Sequence, residues 1–470
     1  MRPNDESFRD RIATVDPEGK RKWIFAQKPK GRFSSARTWA SRVFFLVFLS
    51  LPFIKYKDRP LFLFNIPEAK FIIFGKIFWP QDFFIFGLTM VTFIIIIVLF
   101  TAAFGRLFCG WICPQTIFME MVFRKIEYLI EGDASKQRVL AKMSWNTEKI
   151  SKKAGKHTVF FGVAFIIANY FLAYIIGVDK LWQIITEPVS QHWVGFLSLI
   201  VFSSVFYLVY AFFREQACTV VCPYGRLQSV LLDRNSMIVA YDYQRGEPRG
   251  KLKKGEGSES FGDCIDCFNC VRVCPTGIDI RNGLQMECVG CTACIDACDQ
   301  IMESINKPRG LVRYDSENGI SLQKPLRYTA RMKFYTFILI VLSGLLALLL
   351  ATRAAIDGTI VRTRGQLYQE VGVDSLSNLY EIKIINKTMK DKDVTLKLEG
   401  EFEHSGRVSM IGNNFIHLKR EDQAAGSFFI TISKKALSQR TVKLKVGLYS
   451  GKEKITTIKT NFTGPFTKGE

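Results

Sequence analysis

Eight of the twelve cysteines fall into two runs of identical spacing. Cys264, Cys267, Cys270 and Cys274 form C-x2-C-x2-C-x3-C, closed by Pro275, and Cys288, Cys291, Cys294 and Cys298 repeat it 24 residues later. Three thiolates this close can hold three corners of one 4Fe–4S cube, while the fourth cysteine of the run reaches across to a second cube. Cluster 1 is therefore expected on Cys264, Cys267, Cys270 and Cys298, and cluster 2 on Cys288, Cys291, Cys294 and Cys274. The crossing holds the cubes close enough for rapid electron transfer. Structural zinc is the competing chemistry, but its sites usually pair C-x2-4-C knuckles across longer gaps. Asp299 stands where a second Pro would follow Cys298. That position shapes backbone and supplies no ligand.

The other four cysteines come as twin C-x3-C-P motifs, Cys109 and Cys113 in GRLFCGWICPQT and Cys218 and Cys222 in REQACTVVCPYGR. Each follows an apolar run and leads into an amphipathic stretch. Pro is favoured in the first turn of a helix, so Cys113 and Cys222 are expected at helix N-termini, where the macrodipole favours a thiolate. Arg106, Arg214 and Arg226 are expected to push the same way. Such a soft pair suits Cu(I), with Met119 and Met121 as thioether helpers, or serves as a dithiol redox couple. The alternative is a buried thiol at a helix cap. Duplication weakens that alternative and points to two related hairpins.

These motifs need a scaffold, and most of it reads as membrane. Of 470 residues, 48% are hydrophobic and 40 are Phe. Spanning a bilayer takes ~20 apolar residues, and five runs approach this: Thr38–Ile54, Phe83–Phe104, Thr158–Val178, Trp193–Phe213 and Phe334–Thr352. The first is weakest, with Arg42 near one end and Pro52 near the other. Met1–Arg37 lacks the pattern of a cleaved signal peptide and reads as a cytoplasmic tail. It holds ten Lys and Arg, segment 105–157 also ten, segment 55–82 five, and segment 179–192 only Lys180. The positive-inside rule then places the N-terminus and segment 214–333 in the cytoplasm and 353–470 outside. The net charge of +21 is mostly topology, and no nucleic-acid motif accompanies it. All twelve cysteines fall on the side this topology makes cytoplasmic, where thiolates stay reduced.

Residues 353–470 carry no long helical pattern. LYEIKIIN, VTLKLEG, GSFFITI and TVKLKVGLYS read as strands with turns at NKTMKDKD and IGNN. They suggest an antiparallel immunoglobulin-type sandwich. It is expected to be a stability or docking module, with His404, Met410 and His417 as a weaker copper-site reading. No C-x-x-C-H run provides for covalent haem, and no nucleotide or flavin fingerprint is evident. His157 and His192 open opposite ends of spans and cannot clamp one haem between them.

Taken along its whole length, the chain resembles the FixG/CcoG/RdxA-type cytochrome c oxidase accessory proteins. The resemblance rests on FGKIFWPQDF at 74–83, GRLFCGWICPQT at 105–116, ACTVVCPYGRLQS at 217–229, the doubled cysteine run and NLYEIKIINKT at 378–388. It implies a bacterial inner-membrane iron–sulfur oxidoreductase that reduces Cu(II) to Cu(I) while a cbb-type oxidase is assembled, with Cys109, Cys113, Cys218 and Cys222 handling copper. The expected fold is a five-span membrane protein with a cytoplasmic two-cluster ferredoxin-like domain and an immunoglobulin-like sandwich. The expected divisions are 1–37, 38–213, 214–333, 334–352 and 353–470. Expected partners are the bilayer, an unidentified cytoplasmic electron donor, oxidase assembly factors and a copper transporter or chaperone. The oligomeric state is open, with a homodimer as the candidate. The motifs alone also fit a quinol-linked subunit of a periplasmic reductase or a redox-sensing assembly scaffold.

Overall fold

The computed structural model describes residues 13–16, 18–56, 59–66, 70–79, 82–251, 261–324, 327–363, 365, 367–388, 390–420, 422–437 and 439–465. The chain forms two compact units, Met1–Leu346 and Ala347–Glu470.

Four helices in the described residues are long and apolar enough to cross a membrane: Phe83–Phe104, Thr147–Ile176, Trp193–Phe213 and Ala330–Ala351. The fourth runs across the boundary between the two units. The expected first span is a helix, Arg32–Ser50, but it is not among the four. Arg32, Arg37 and Arg42 occupy its first half and shorten its apolar stretch. The second of the four, Thr147–Ile176, begins eleven residues before the expected Thr158. Its polar start, TEKISKKAGKH, is capped by Asn146, which accepts the Lys149 N–H at 2.9 Å. The described residues of 55–82 include strands. Phe62–Asn65, Lys70–Ile73 and Lys76–Phe78 make a three-stranded meander.

The helices meet in an aromatic core of Phe118, Phe123, Phe160 and Tyr210. Phe123 and Tyr210 stack at 4.6 Å. Beneath it lies a buried ion network. Arg214 donates to both Glu127 oxygens at 3.0 Å, and Lys156 reaches Glu131 at 2.9 Å. Charges this buried persist only when paired.

The cysteine-rich segment is framed by the antiparallel strands Ile238–Tyr241 and Val312–Asp315 and by the helix Ala293–Ser304. The N-terminal residues run along this segment as a strap. Gln27 N–H donates to Arg272 O at 2.9 Å, Gln300 Nε2 to Lys30 O at 2.8 Å, and Tyr128 Oη to Ala26 O at 3.0 Å. Asp296 then caps the helix Arg32–Ser50, accepting the N–H groups of Phe33 and Ser34 at 3.0 and 2.7 Å. Only glycine fits at position 31, because a Cβ there would lie 2.3 Å from the Asp296 carboxyl carbon.

The second unit is a β-sandwich. One sheet orders Gly406–Met410, Gln423–Ser433, Ser375–Asn386 and Ile356–Arg362, with Gln369–Val371 also on Ser375–Asn386. The other orders Ile416–Leu418, Lys392–Glu399, Thr441–Ser450 and Glu453–Thr463. All four strands expected from alternation are present. Inward residues Leu376, Tyr380, Ile382, Phe428, Ile430, Val446 and Phe462 form the core. Burying each such side chain contributes ~1.5–3 kcal/mol.

Candidate metal centres

Two cavities open inside the cysteine-rich segment. Cys264, Cys267, Cys270 and Cys298 line the first, with Tyr241, Arg281 and Met302. Cys274, Cys288, Cys291 and Cys294 line the second, with Thr276 and Ile278, and Cys270 stands in the wall between them. The fold thus brings the last cysteine of each run to the other run's triplet.

Local backbone explains how a short run wraps a cavity. Asp266 and Phe268 have φ of 54° and 59°, and their counterparts Gly290 and Thr292 have 67° and 63°. Left-handed residues at matched places turn the chain inward between successive cysteines, and Asp or Gly enters that region most readily. A helix follows at Asn269 and at Ala293 and delivers the later cysteines.

All twelve cysteines are free thiols. Among the described residues, no three His, Cys, Asp or Glu side chains converge where one ion could sit. That holds for the C-x3-C-P cysteines as well, and what distinguishes the two cavities is a lining of at least four thiols each, four being the number a cube takes. Eight thiols around two cavities therefore fit two 4Fe–4S clusters.

The C-x3-C-P motifs share one backbone. Gly105 ends the helix before the first with φ 57° and ψ −133°, and Arg214 ends the helix before the second with φ 49° and ψ −121°. Cys113 and Cys222 are the N-caps of helices opened by Pro114 and Pro223. The repeat visible in the cysteines thus extends to conformation. Three short π-helical turns surround it, Phe118–Phe123, Val209–Phe213 and Ala217–Val221, and such turns are common at functional sites.

The two motifs come together. Cys109 lies within electrostatic reach of Cys113, Cys218 and Cys222. Its thiol donates to Gln228 Oε1 on the second motif's helix at 3.0 Å. Burial, reinforced by the neighbouring Cys113, pushes the Cys109 and Cys218 thiols up to about 12, against the pull of Arg106 on Cys109 and of Thr116 on Cys218. Of the three expected arginines, Arg106 alone acts on Cys109. Arg214 is locked onto Glu127, and Arg226 is exposed. Met119 packs into the aromatic core.

This quartet abuts the second cavity. Cys109 and Cys218 pack against Val273, Val289, Cys291 and Ala293. A Cβ on Gly110 would lie 2.4 Å from Gly290 O, so the C-x3-C turn and the Cys288–Cys291 loop touch backbone to backbone. Arg106 donates to Cys288 O at 3.0 Å, to Met286 O, and to Gly225 O behind the second motif. Arg37 Nε donates to Gly110 O at 3.1 Å. Trp111 Nε1 donates to Tyr314 Oη at 3.2 Å, which donates to Gly290 O at 3.4 Å. Sequence reasoning missed Arg37, Gln228, Tyr314 and Asp296.

The histidines form no joint site. His157 Nδ1 lies 2.9 Å from Tyr207 Oη. His192 meets Glu187, and His417 Nδ1 lies 2.7 Å from Asp393.

Comparison with known proteins accords with this arrangement. A family described as a 4Fe–4S dicluster domain matches residues 213–317, and one described as a 4Fe–4S binding domain matches 86–132. The Ig-like fold found at the C-terminus of FixG matches 346–465. RdxA of Cereibacter sphaeroides is 32% identical over 391 residues, covering 80% of this chain and 82% of RdxA. The chain belongs to the FixG/RdxA family. RdxB of the same organism is 32% identical over 397 residues, covering 81% of this chain and 83% of RdxB. The nitrogen fixation protein FixG of Rhizobium meliloti is 30% identical over 426 residues, covering 81% of this chain and 80% of FixG. As a FixG/RdxA member the chain is a membrane 4Fe–4S electron-transfer protein with an Ig-like C-terminal domain, as expected from its motifs.

Proposed function

We propose that this FixG/RdxA protein carries electrons from a cytoplasmic donor to copper, reducing Cu(II) to Cu(I) during maturation of a cbb-type oxidase. In this reading Cys264, Cys267, Cys270 and Cys298 hold cluster 1, and Cys274, Cys288, Cys291 and Cys294 hold cluster 2. When bound, the clusters supply one-electron carriers. Cys109, Cys113, Cys218 and Cys222 bind the copper substrate, which gains one electron. The observation that carries the proposal is the packing of Cys109 and Cys218 against the cluster of Val273, Val289, Cys291 and Ala293. Val289 and Cys291 of that cluster also line the second cavity. Cu(I) prefers thiolates, so reduction at this site makes copper transferable to a transporter or chaperone. Arg37 and Arg106 hold the two sites in register, and the apolar wall of Val273, Val289 and Ala293 keeps water out.

The deciding experiment is anaerobic Cu(II) reduction by purified, pre-reduced protein. Replacing Cys109, Cys113, Cys218 and Cys222 by Ser should abolish Cu(I) binding and lower Cu(II) reduction at least tenfold. Iron content should stay near eight per chain, because none of the four belongs to the doubled run. Wild-type reduction rates in that variant would remove copper from the quartet.

The same reading places the protein in the bacterial inner membrane with its N-terminus and ferredoxin segment cytoplasmic and its C-terminal domain periplasmic. The basic residues around segment 105–157 support this. In this reading the first crossing is the helix Arg32–Ser50 with the 3-residue turn after it, its basic first half lying at the cytoplasmic edge. Reporter fusions near Lys156 and Arg313 should report cytoplasm, and fusions near Lys180 and after Glu470 the periplasm.

A further inference from the structure

The two cavities differ in how their neighbouring charges are paired. The first has Arg281 and Asp279 within reach of Cys270 and Asp299 within reach of Cys298. Its guanidinium, Arg281, is neutralised by Asp266 at 2.5 Å and Asp279 at 2.6 Å. Asp299 has as its ion partner Arg32, 3.4 Å away, whose side chain is 62% exposed. The second cavity differs in its cations. Arg106 lies within reach of Cys288 and Arg37 within reach of Cys291. Both arginines are buried, 8% and 5% exposed. Among the described residues neither guanidinium meets a carboxylate, and their donors end on backbone carbonyls. Glu120, also within reach of Cys291, is paired with Arg124 at 3.0 Å. Glu287, within reach of Cys288, is half-exposed and screened by water.

We infer that Arg37 and Arg106 raise the reduction potential of cluster 2 above that of cluster 1, so that cluster 1 receives electrons and cluster 2 delivers them to the membrane-edge thiols. Reduction adds one negative charge to a cube. A buried positive charge favours that state and a nearby carboxylate opposes it, and both act strongly where water is excluded. Burial of the second cavity works the other way, by penalising added charge. Two buried guanidiniums without carboxylate partners outweigh it, and the negative cube and thiolates give those guanidiniums the counter-charge they otherwise lack. Exposure points in the same direction. Phe268, between Cys267 and Cys270, is 45% exposed, whereas Val289 to Ala293 are buried beneath the first C-x3-C-P motif. The loop over the first cube is thus the more open to a donor.

The inference rests on the two-cube assignment and not on copper. Its test is an anaerobic redox titration of the full chain in detergent, free of copper and followed by electron paramagnetic resonance, with iron counted on the same sample. Two separated midpoints are expected. Arg106→Gln and Arg37→Gln should each move the upper midpoint to more negative potential and leave the lower one in place. Asp299→Asn should move the lower one upward. Arg106→Lys keeps the charge while losing the carbonyl bonds, and should hold the upper midpoint near wild type. Coincident midpoints in the wild type would overturn the inference. So would a Lys variant shifted as far as the Gln variant, or arginine variants that move the lower step. Fewer than eight irons in the wild type would remove the two-cube assignment itself, whatever the outcome with copper.

Discussion

Arg214 stands in a backbone region that the matching Gly105 enters freely. Holding a side chain there costs ~1–3 kcal/mol, and the bidentate contact with Glu127 keeps it in place. Arg214→Gly would relieve the strain but break a buried bidentate pair, a loss of at most ~3–5 kcal/mol, because Lys156 remains 3.5 Å from Glu127. The pair should dominate, so the glycine variant should be less stable by roughly 2 kcal/mol, read as a lower melting temperature in detergent. Glu127 carries a pH dependence. Burial works against its charge, but Arg214, Lys156 and Arg124 together hold its pKa below the ordinary 4.5. Unfolding in acid therefore takes up a proton there. The stabilisation is complete above the ordinary carboxylate range and is lost as pH falls through the lowered value. Glu127→Gln should be less stable at neutral pH and show a flatter decline on acidification. Equal acid slopes in the two proteins would assign the acid sensitivity to other groups.

Secondary-structure elements here work as joints. The C-x3-C turn and the second cysteine loop meet at Gly110 and Gly290, where any side chain would collide with a carbonyl oxygen. Gly110→Ala should force the quartet away from the second cavity. Iron content should be retained and electron transfer to copper should fall tenfold or more, measured as Cu(II) reduction after complete cluster reduction. Wild-type rates with alanine at 110 would mean that the contact does not carry the electrons. The strap joins the ferredoxin-like segment to the membrane helices through the Asp296 cap. Asp296→Ala should cost ~1 kcal/mol or somewhat more, as loss of an N-cap does, seen as a lowered melting temperature and faster proteolysis near Lys30.

At the scale of the molecule, Ala347–Glu470 has its own core and no cysteine. Residues 353–470 expressed alone should fold to a β-rich circular-dichroism spectrum with a cooperative melt. Deleting 375–470 should leave eight irons bound. Loss of iron on that deletion would show that cluster assembly depends on the sandwich.

Much of this protein was legible in local pattern. Cysteine spacing named the metal chemistry, because ligand geometry constrains neighbours along the chain. Apolar runs located Phe83–Phe104 and Trp193–Phe213 to the residue, because a bilayer demands a minimum length. Alternation found four of the sandwich strands. What the pattern could not supply were contacts between distant residues. Arg106 and Cys288 are 182 positions apart, and no period links them. Three arginines near the thiols looked equivalent. Folding turned Arg214 to Glu127, left Arg226 in solvent and set Arg106 against the second cavity. The first helix looked like a span by its second half, while its basic first half serves the joint with the ferredoxin segment through Arg37 and Asp296. Local spacing determined which atoms can bind metal. Only the tertiary structure decided which charges surround each cavity, because burial and long-range packing choose partners without regard to their place in the chain.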